Sequence, residues 1–172
     1  MIVLETSRLT LRRLCVADAA FILELLNEPG FRRNIGDRGV KSLKDASEYI
    51  EKGPMESYEE RGFGLLRVDL KETSVPIGIC GLLKRESLDD VDIGFAFLER
   101  YWAKGYGHES AAAVIEQGRH EHGLRRIVAV TAPHNAGSIR ILEKLGLRFE
   151  KMIRMPGEAH DIHFMVWDAQ AG

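Results

Sequence analysis

The chain has 172 residues and a formal net charge of −2, from 24 Lys and Arg against 26 Asp and Glu; so near a balance leaves no basic footprint, and no direct nucleic-acid partner is expected. With 45% apolar and 29% charged residues, the composition is that of a folded globular protein, one domain over residues 1–172 that hides about two-thirds of its unfolded surface. No run approaches the roughly 20 apolar residues needed to cross a bilayer, and two cysteines, Cys15 and Cys80, exclude a disulfide scaffold and fit a reducing, cytoplasmic setting.

Leu9 to Leu14 is a strand candidate, followed by a helix from about Val16 to Asn27 with Phe21, Ile22, Leu25 and Leu26 at helical spacing. Pro29 and Gly30 are expected to stop it, and Phe31 to Lys41 reads as a loop. Ser42 with Asp45 resembles a capping box, so a second helix starts near Leu43, ended or kinked by Pro54. Gly62–Leu70 and Val75–Leu83 read as a hairpin around the polar turn Lys71–Ser74, and Val91–Leu98 as a further strand. Gly105 to about His120 is helical, Ile127–Thr131 a strand, and Asn135 an N-cap for a helix through Leu145 that Gly146 closes in the left-handed region. Phe149–Met155 and His160–Trp167 form a last hairpin around Pro156-Gly157. The order predicts an α/β (α+β) protein. Its central sheet is mixed and mostly antiparallel, of about seven strands with helices on both faces, and strand–helix–strand between Val91 and Thr131 makes one parallel pair.

The segment from Val91 to His108 carries the chemistry. A strand enters the short loop Trp102-Ala103-Lys104-Gly105-Tyr106-Gly107, and the loop opens a helix. Free N–H groups and the positive end of the macrodipole make a helix start an anion site. Gly105 and Gly107 let a phosphate approach the backbone, and Lys104 adds charge. The loop is neither a Walker A motif nor a complete dinucleotide fingerprint, and by itself it is equally a glycine-rich helix start that binds nothing.

Downstream, Asn135-Ala136-Gly137-Ser138 and Glu143-Lys144-Leu145-Gly146-Leu147 follow the next strand. Together the two segments resemble the acetyl-CoA-binding half of the GNAT superfamily of N-acetyltransferases, with its Gln/Arg-x-x-Gly-x-Gly/Ala loop and its Asn-x-x-Ser…Glu-Lys-Leu-Gly-Phe segment. The opening Glu5-Thr6-Ser7-Arg8-Leu9-Thr10-Leu11-Arg12 and the strand Ile77–Leu82 resemble the ribosomal-protein N-terminal acetyltransferase branch. Two residues depart from the pattern: Trp102 stands where Gln or Arg is usual, and Leu147 where Phe is common. Many members place a Tyr after the Asn segment, whereas here no Tyr follows Tyr106.

The resemblance implies direct transfer of an acetyl group from acetyl-CoA to a primary amine, a protein or peptide N-terminus or a small molecule. It implies donor binding by Ala96, Phe97, Leu98, Trp102, Ala103, Lys104, Gly105, Tyr106, Gly107, His108, Asn135 and Ser138, and a bulge in Val91–Leu98 that presents N–H groups of Ala96 to Leu98 to the thioester carbonyl. Asp92 matches a position that carries a glutamate base in some members; with Gly94 and Ala96 it shares one strand face, and it is otherwise a solvated strand-start residue. Ser138 is a candidate acid or thiol-positioning group, or else only a residue of the helix cap. Tyr101 and Trp102 stack on the adenine, line the acceptor site or pack the loop. In this branch the acceptor pocket draws on Phe31–Asp37, Tyr49, Tyr58 and Met155–His160; Arg32, Arg33 and Arg38 would suit an acidic acceptor, or are simply a solvated polar loop.

No metal site is expected: His160 and His163 point to opposite strand faces, and His120 and His122 do not share a helix face. Cys80 reads as a buried structural thiol, while Cys15 lacks any activating motif. The assembly expected is a monomer or homodimer. A catalytically weak acyl-CoA sensor is the alternative to an enzyme, motivated by Trp102 and the missing Tyr.

Overall fold

In the computed structural model, which describes residues 1–169, the chain runs β1 (Ile2–Glu5), β2 (Leu9–Arg13), α1 (Ala19–Leu26), α2 (Pro29–Asn34), α3 (Leu43–Ile50), α4 (Glu56–Arg61), β3 (Leu65–Leu70), β4 (Pro76–Leu83), β5 (Asp92–Phe97), α5 (Tyr106–Glu121), β6 (Arg126–Thr131), α6 (Ala136–Lys144), β7 (Arg148–Ile153) and β8 (Ile162–Asp168). The strands form one eight-stranded sheet in the order β1-β2-β3-β4-β5-β6-β8-β7. Every neighbouring pair is antiparallel except β5–β6.

Three local readings are corrected. The eighth strand, β1, lies in Met1–Glu5, too short to signal by itself; it is held by pairing with β2. Pro29 opens α2 instead of only closing α1, because the N–H a proline lacks is one that a helix start leaves unpaired in any case. Pro54 sits inside a π-helical turn, Glu51–Met55, through which α3 runs on into α4. The wider turn absorbs the proline as a local bend.

Alternation splits most of the buried apolar residues between two main cores, beside a smaller cluster of Leu88, Val128 and Phe164. On one face Val114 and Ile115 of α5 and Leu142 of α6 pack with Leu9, Leu11, Ile77 and Ile127. On the other, Ile22 and Leu25 of α1 and Ala46 and Ile50 of α3 pack with Leu65 and Ile79. Ser42 caps α3 by accepting the Asp45 N–H at 3.1 Å. Beyond α6, Gly146 (φ +96°) turns left-handed, Leu147 N–H reaches Leu142 O at 3.0 Å and Gly146 N–H reaches Glu143 O at 3.0 Å, a Schellman closure that buries Leu147.

Candidate active site

β5 pairs with β4 without a break, from Gly78 opposite Phe97 to Leu83 opposite Asp92. With parallel β6 it pairs at one register position, Asp92 opposite Val128. β6 is meanwhile paired along its length with β8. The sheet therefore opens as a wedge between the C-terminal halves of β5 and β6, and no bulge is needed to free peptide groups there; the expected bulge in β5 is absent.

Which N–H groups face the wedge follows from alternation. Leu98 N–H donates to Ile77 O at 2.9 Å, so Leu98, and Ala96 with it, turns its peptide groups to β4. Phe95 and Phe97 turn theirs to the wedge, and Phe97 O accepts the Trp102 indole N–H at 2.8 Å. Of the expected donors Ala96, Phe97 and Leu98, only Phe97 offers its N–H, and Phe95 is added. The same period of two that was applied to the side chains could have found it in the sequence.

At the mouth of the wedge the loop turns left-handed at Ala103 (φ +58°) and Gly105 (φ +86°) and leads into α5. Such turns aim successive N–H groups at one point. Glu109 N–H is bonded to Gly105 O at 3.0 Å, so the first-turn amides of Tyr106, Gly107 and His108 lack acceptors within the helix. Gly107 is buried, and a Cβ on it would lie 2.9 Å from Ile141 Cδ1, so its bareness lets α6 close on α5. Lys104 and His108 are exposed. The cradle presents unpaired N–H donors at a helix start, the kind of arrangement that binds an anion.

Trp102 does not face the cradle. Its ring packs on Gly30 of α2, where a Cβ would come within 2.5 Å of it, and Gly30 N–H donates to Glu99 Oε1 at 2.5 Å. His134, before α6, contacts Arg33 O at 3.2 Å. The short α2 thus links the two lips of the wedge. Asn135 caps α6 through its Oδ1, which accepts the Ser138 N–H at 3.2 Å; the Ser138 hydroxyl has no part in that bond.

Asp92 is fully buried, and neither of its carboxylate oxygens has a hydrogen-bond partner. Arg85 Nε lies 3.4 Å from Oδ1, within ion-pair range but outside hydrogen-bond geometry. Burial pushes the Asp92 carboxyl up to about 6, against the pull of Arg85 and Lys84. It is therefore not a solvated strand-start residue. Gly94 shares its face, and a Cβ there would point at Leu83 and Leu65. Leu65, Leu83 and Arg85, with Arg38 and Tyr49, line a cleft of about 610 Å³ between the α3–α4 segment and the end of β4.

Other expected site residues fall elsewhere. Tyr58 is core: its hydroxyl donates to Leu65 O and accepts the Leu14 N–H at 3.0 Å. Arg32 bonds Asn27 Oδ1 at 2.6 Å, while Arg38 does line the cleft. Burial pushes the Cys80 thiol up to about 12, which makes it inert at neutral pH. No group of three or more His, Cys, Asp or Glu suited to a metal occurs among the described residues. No helix among them is long and apolar enough to cross a membrane. What local reading missed is a clamp of Thr6, Arg8 and Glu109 on the loop, since its members lie up to 103 residues apart.

A mixed sheet whose β5 leads through a glycine loop into a helix start is the arrangement implied by the family resemblance, although a wedge stands where a bulge was expected, and residues 8–148 match the family model described as "Acetyltransferase (GNAT) domain". The chain belongs to that family. As a GNAT protein it is an N-acetyltransferase. It is 31% identical over 156 residues to the uncharacterized protein YkkB of Bacillus subtilis (strain 168), covering 88% of each chain. It is 30% identical over 154 residues to the uncharacterized N-acetyltransferase YoaA of the same organism, covering 88% of this chain and 86% of that one. RimL, a ribosomal L7/L12 alpha-N-protein acetyltransferase solved with coenzyme A, shares the GNAT fold at a TM-score of 0.84 and 15% identity over 100% of both chains.

Proposed function

We propose that this GNAT enzyme takes acetyl-CoA as donor and acetylates a primary amine, a peptide N-terminus or a small molecule, that enters from the cleft on the α1–α4 side. The observation that carries this reading is the wedge: it leaves the N–H groups of Phe95 and Phe97 unclaimed by β6, at the foot of a cradle suited to a diphosphate.

Bound there, the donor would supply an acetyl group on a thioester whose thiolate leaves readily. Ala103 to His108 offer backbone N–H groups to the diphosphate, and Lys104 adds a charge. Phe95 and Phe97 donate to the carbonyl oxygen as charge develops on it. Asp92 takes the proton that the attacking amine must lose. Three residues along an extended strand separate it from Phe95, about 10 Å, so the proton travels through water. A carboxyl near 6 is ionised at neutral pH yet basic enough to work. Ser138 stands at the start of α6 with its hydroxyl outside the cap bond, able to steady or protonate the departing thiolate.

Calorimetric titration with acetyl-CoA, followed by free-thiol release against a panel of amines and N-terminal peptides, tests the reading. Binding with amine-dependent release supports it. Binding with no release over the whole panel supports the sensor instead, and no binding overturns both.

A further inference from the structure

Thr6 and Arg8, in the connection from β1 to β2, grip the first turn of α5 across 101 residues of sequence. Glu109 accepts the Thr6 hydroxyl at 2.5 Å, the Arg8 backbone N–H at 3.0 Å and Arg8 Nε at 2.8 Å. Arg8 Nη1 donates to Lys104 O at 3.0 Å, and the guanidinium lies 4.4 Å from the centre of the Tyr106 ring. Arg8 Nη2 stands 3.1 Å from the point a Cβ on Gly105 would occupy. The guanidinium is thus laid along the loop from Lys104 to Tyr106, with two of its five N–H groups used in these bonds.

Two physical points give this placement a purpose. A carboxylate in the first turn of a helix repels an anion bound at that helix start. Burial raises the Glu109 carboxyl, but hydrogen bonds from Thr6 and Arg8 outweigh it and hold the group ionised, below the usual range. Left alone, Glu109 would oppose a diphosphate; paired with Arg8 it does not. The second point is rigidity. Lys104 is a free exposed side chain, whereas Arg8 is fixed by its ring contact and its bonds while its side chain stays 46% exposed. Trp102, which stands in the loop itself, is committed to Phe97 O and Gly30 and offers no charge.

We propose that Arg8 is a ligand of the donor's diphosphate, reaching over Gly105 from the β1–β2 connection, and that Glu109 and Thr6 position it. The assignment rests on acetyl-CoA being the donor. A forked guanidinium over a diphosphate makes charge-assisted hydrogen bonds, which a lysine in its place would match in charge but not in geometry.

The test is calorimetric titration of the wild-type protein and of Arg8→Gln, Arg8→Lys and Glu109→Gln with CoA, and with pantetheine, which has no diphosphate. Thermal melts check folding. The expected result is about tenfold or greater weakening of CoA binding in Arg8→Gln, a smaller loss in Arg8→Lys, and unchanged pantetheine binding in both. Glu109→Gln, which keeps the guanidinium but loosens the grip that positions it, should weaken CoA binding less than Arg8→Gln does and leave pantetheine binding unchanged. Unweakened CoA binding in Arg8→Gln would overturn the proposal. So would equal losses in Arg8→Gln and Glu109→Gln, which would make Arg8 a structural clamp. Were Arg8→Gln unfolded, Arg8→Lys decides: loss confined to CoA supports the contact, and no loss rejects it. A wild-type protein that bound no CoA would sink the donor reading itself, a result distinct from any of these.

Discussion

Asp92 stands opposite Val128 at the one position where β5 and β6 are in register, so the buried carboxylate sits at the vertex of the wedge. Its neighbours on the same strand face, Gly94 and Ala96, are small, and Arg85 separates it from the cleft.

That placement makes activity and stability move in opposite directions. Asp92→Asn should lower kcat by about a hundredfold or more and remove a rate limb that rises with pH through about 6. Stability should respond the other way. The folded carboxyl, raised from 3.8 to about 6, holds its proton where the unfolded one has lost it, so stability falls as pH rises through that window. Above it, the charged form withholds about 3 kcal/mol, and Asp92→Asn should melt higher than wild type at pH 7.5. An equal or lower melting temperature there, measured by calorimetry, would contradict the burial argument. Amine acetylation unchanged by the substitution across pH would remove Asp92 as the base.

Ser138 and Asn135 separate chemistry from capping. The Asn135 Oδ1 bond goes to the backbone N–H of Ser138, so Ser138→Ala should leave the melting temperature unchanged while lowering kcat about tenfold. Asn135→Ala should cost about 1 kcal/mol of stability, and Asn135→Asp should restore most of it. Paired denaturation curves and steady-state kinetics on the three variants check this.

Gly107 sets how closely α6 can approach α5. A Cβ there would lie 2.9 Å from Ile141 Cδ1, the end of a side chain that can shift. Gly107→Ala should therefore cost about 1–3 kcal/mol and weaken CoA binding, and adding Ile141→Val should recover part of both. A double-mutant cycle with no coupling between the two sites would show that the contact does not matter.

Tyr58 tests a purely structural role. Its hydroxyl serves Leu14 N–H and Leu65 O inside the core, and burial pushes it up to about 12. Tyr58→Phe leaves both backbone groups without that partner and should cost about 2–3 kcal/mol in urea denaturation. The kinetic constants of the folded fraction should stay at wild-type values.

Local chemistry in the sequence was enough for most of the elements and for the glycine loop that opens α5. Ser42, Asn135 and Gly146 act on their own neighbours, and the apolar periods of α1 and α5 need no distant partner, so each could be read in place. The glycines at 105 and 107 marked the helix start for the same reason. Tertiary structure decided the rest, because the deciding partners lie far away in the chain. β1 exists through pairing with β2, and the wedge through β5 and β6 being claimed by β4 and β8. Asp92 became a buried, raised carboxyl when Leu83 and Arg85 closed over it. Trp102 was turned to α2 by Phe97 O and Gly30, and Arg8 was carried to the loop by the fold of the whole sheet. Short-range capping and periodicity are written in neighbouring residues; burial, strand divergence and the meeting of Arg8 with Glu109 arise only once the sheet has brought remote segments together.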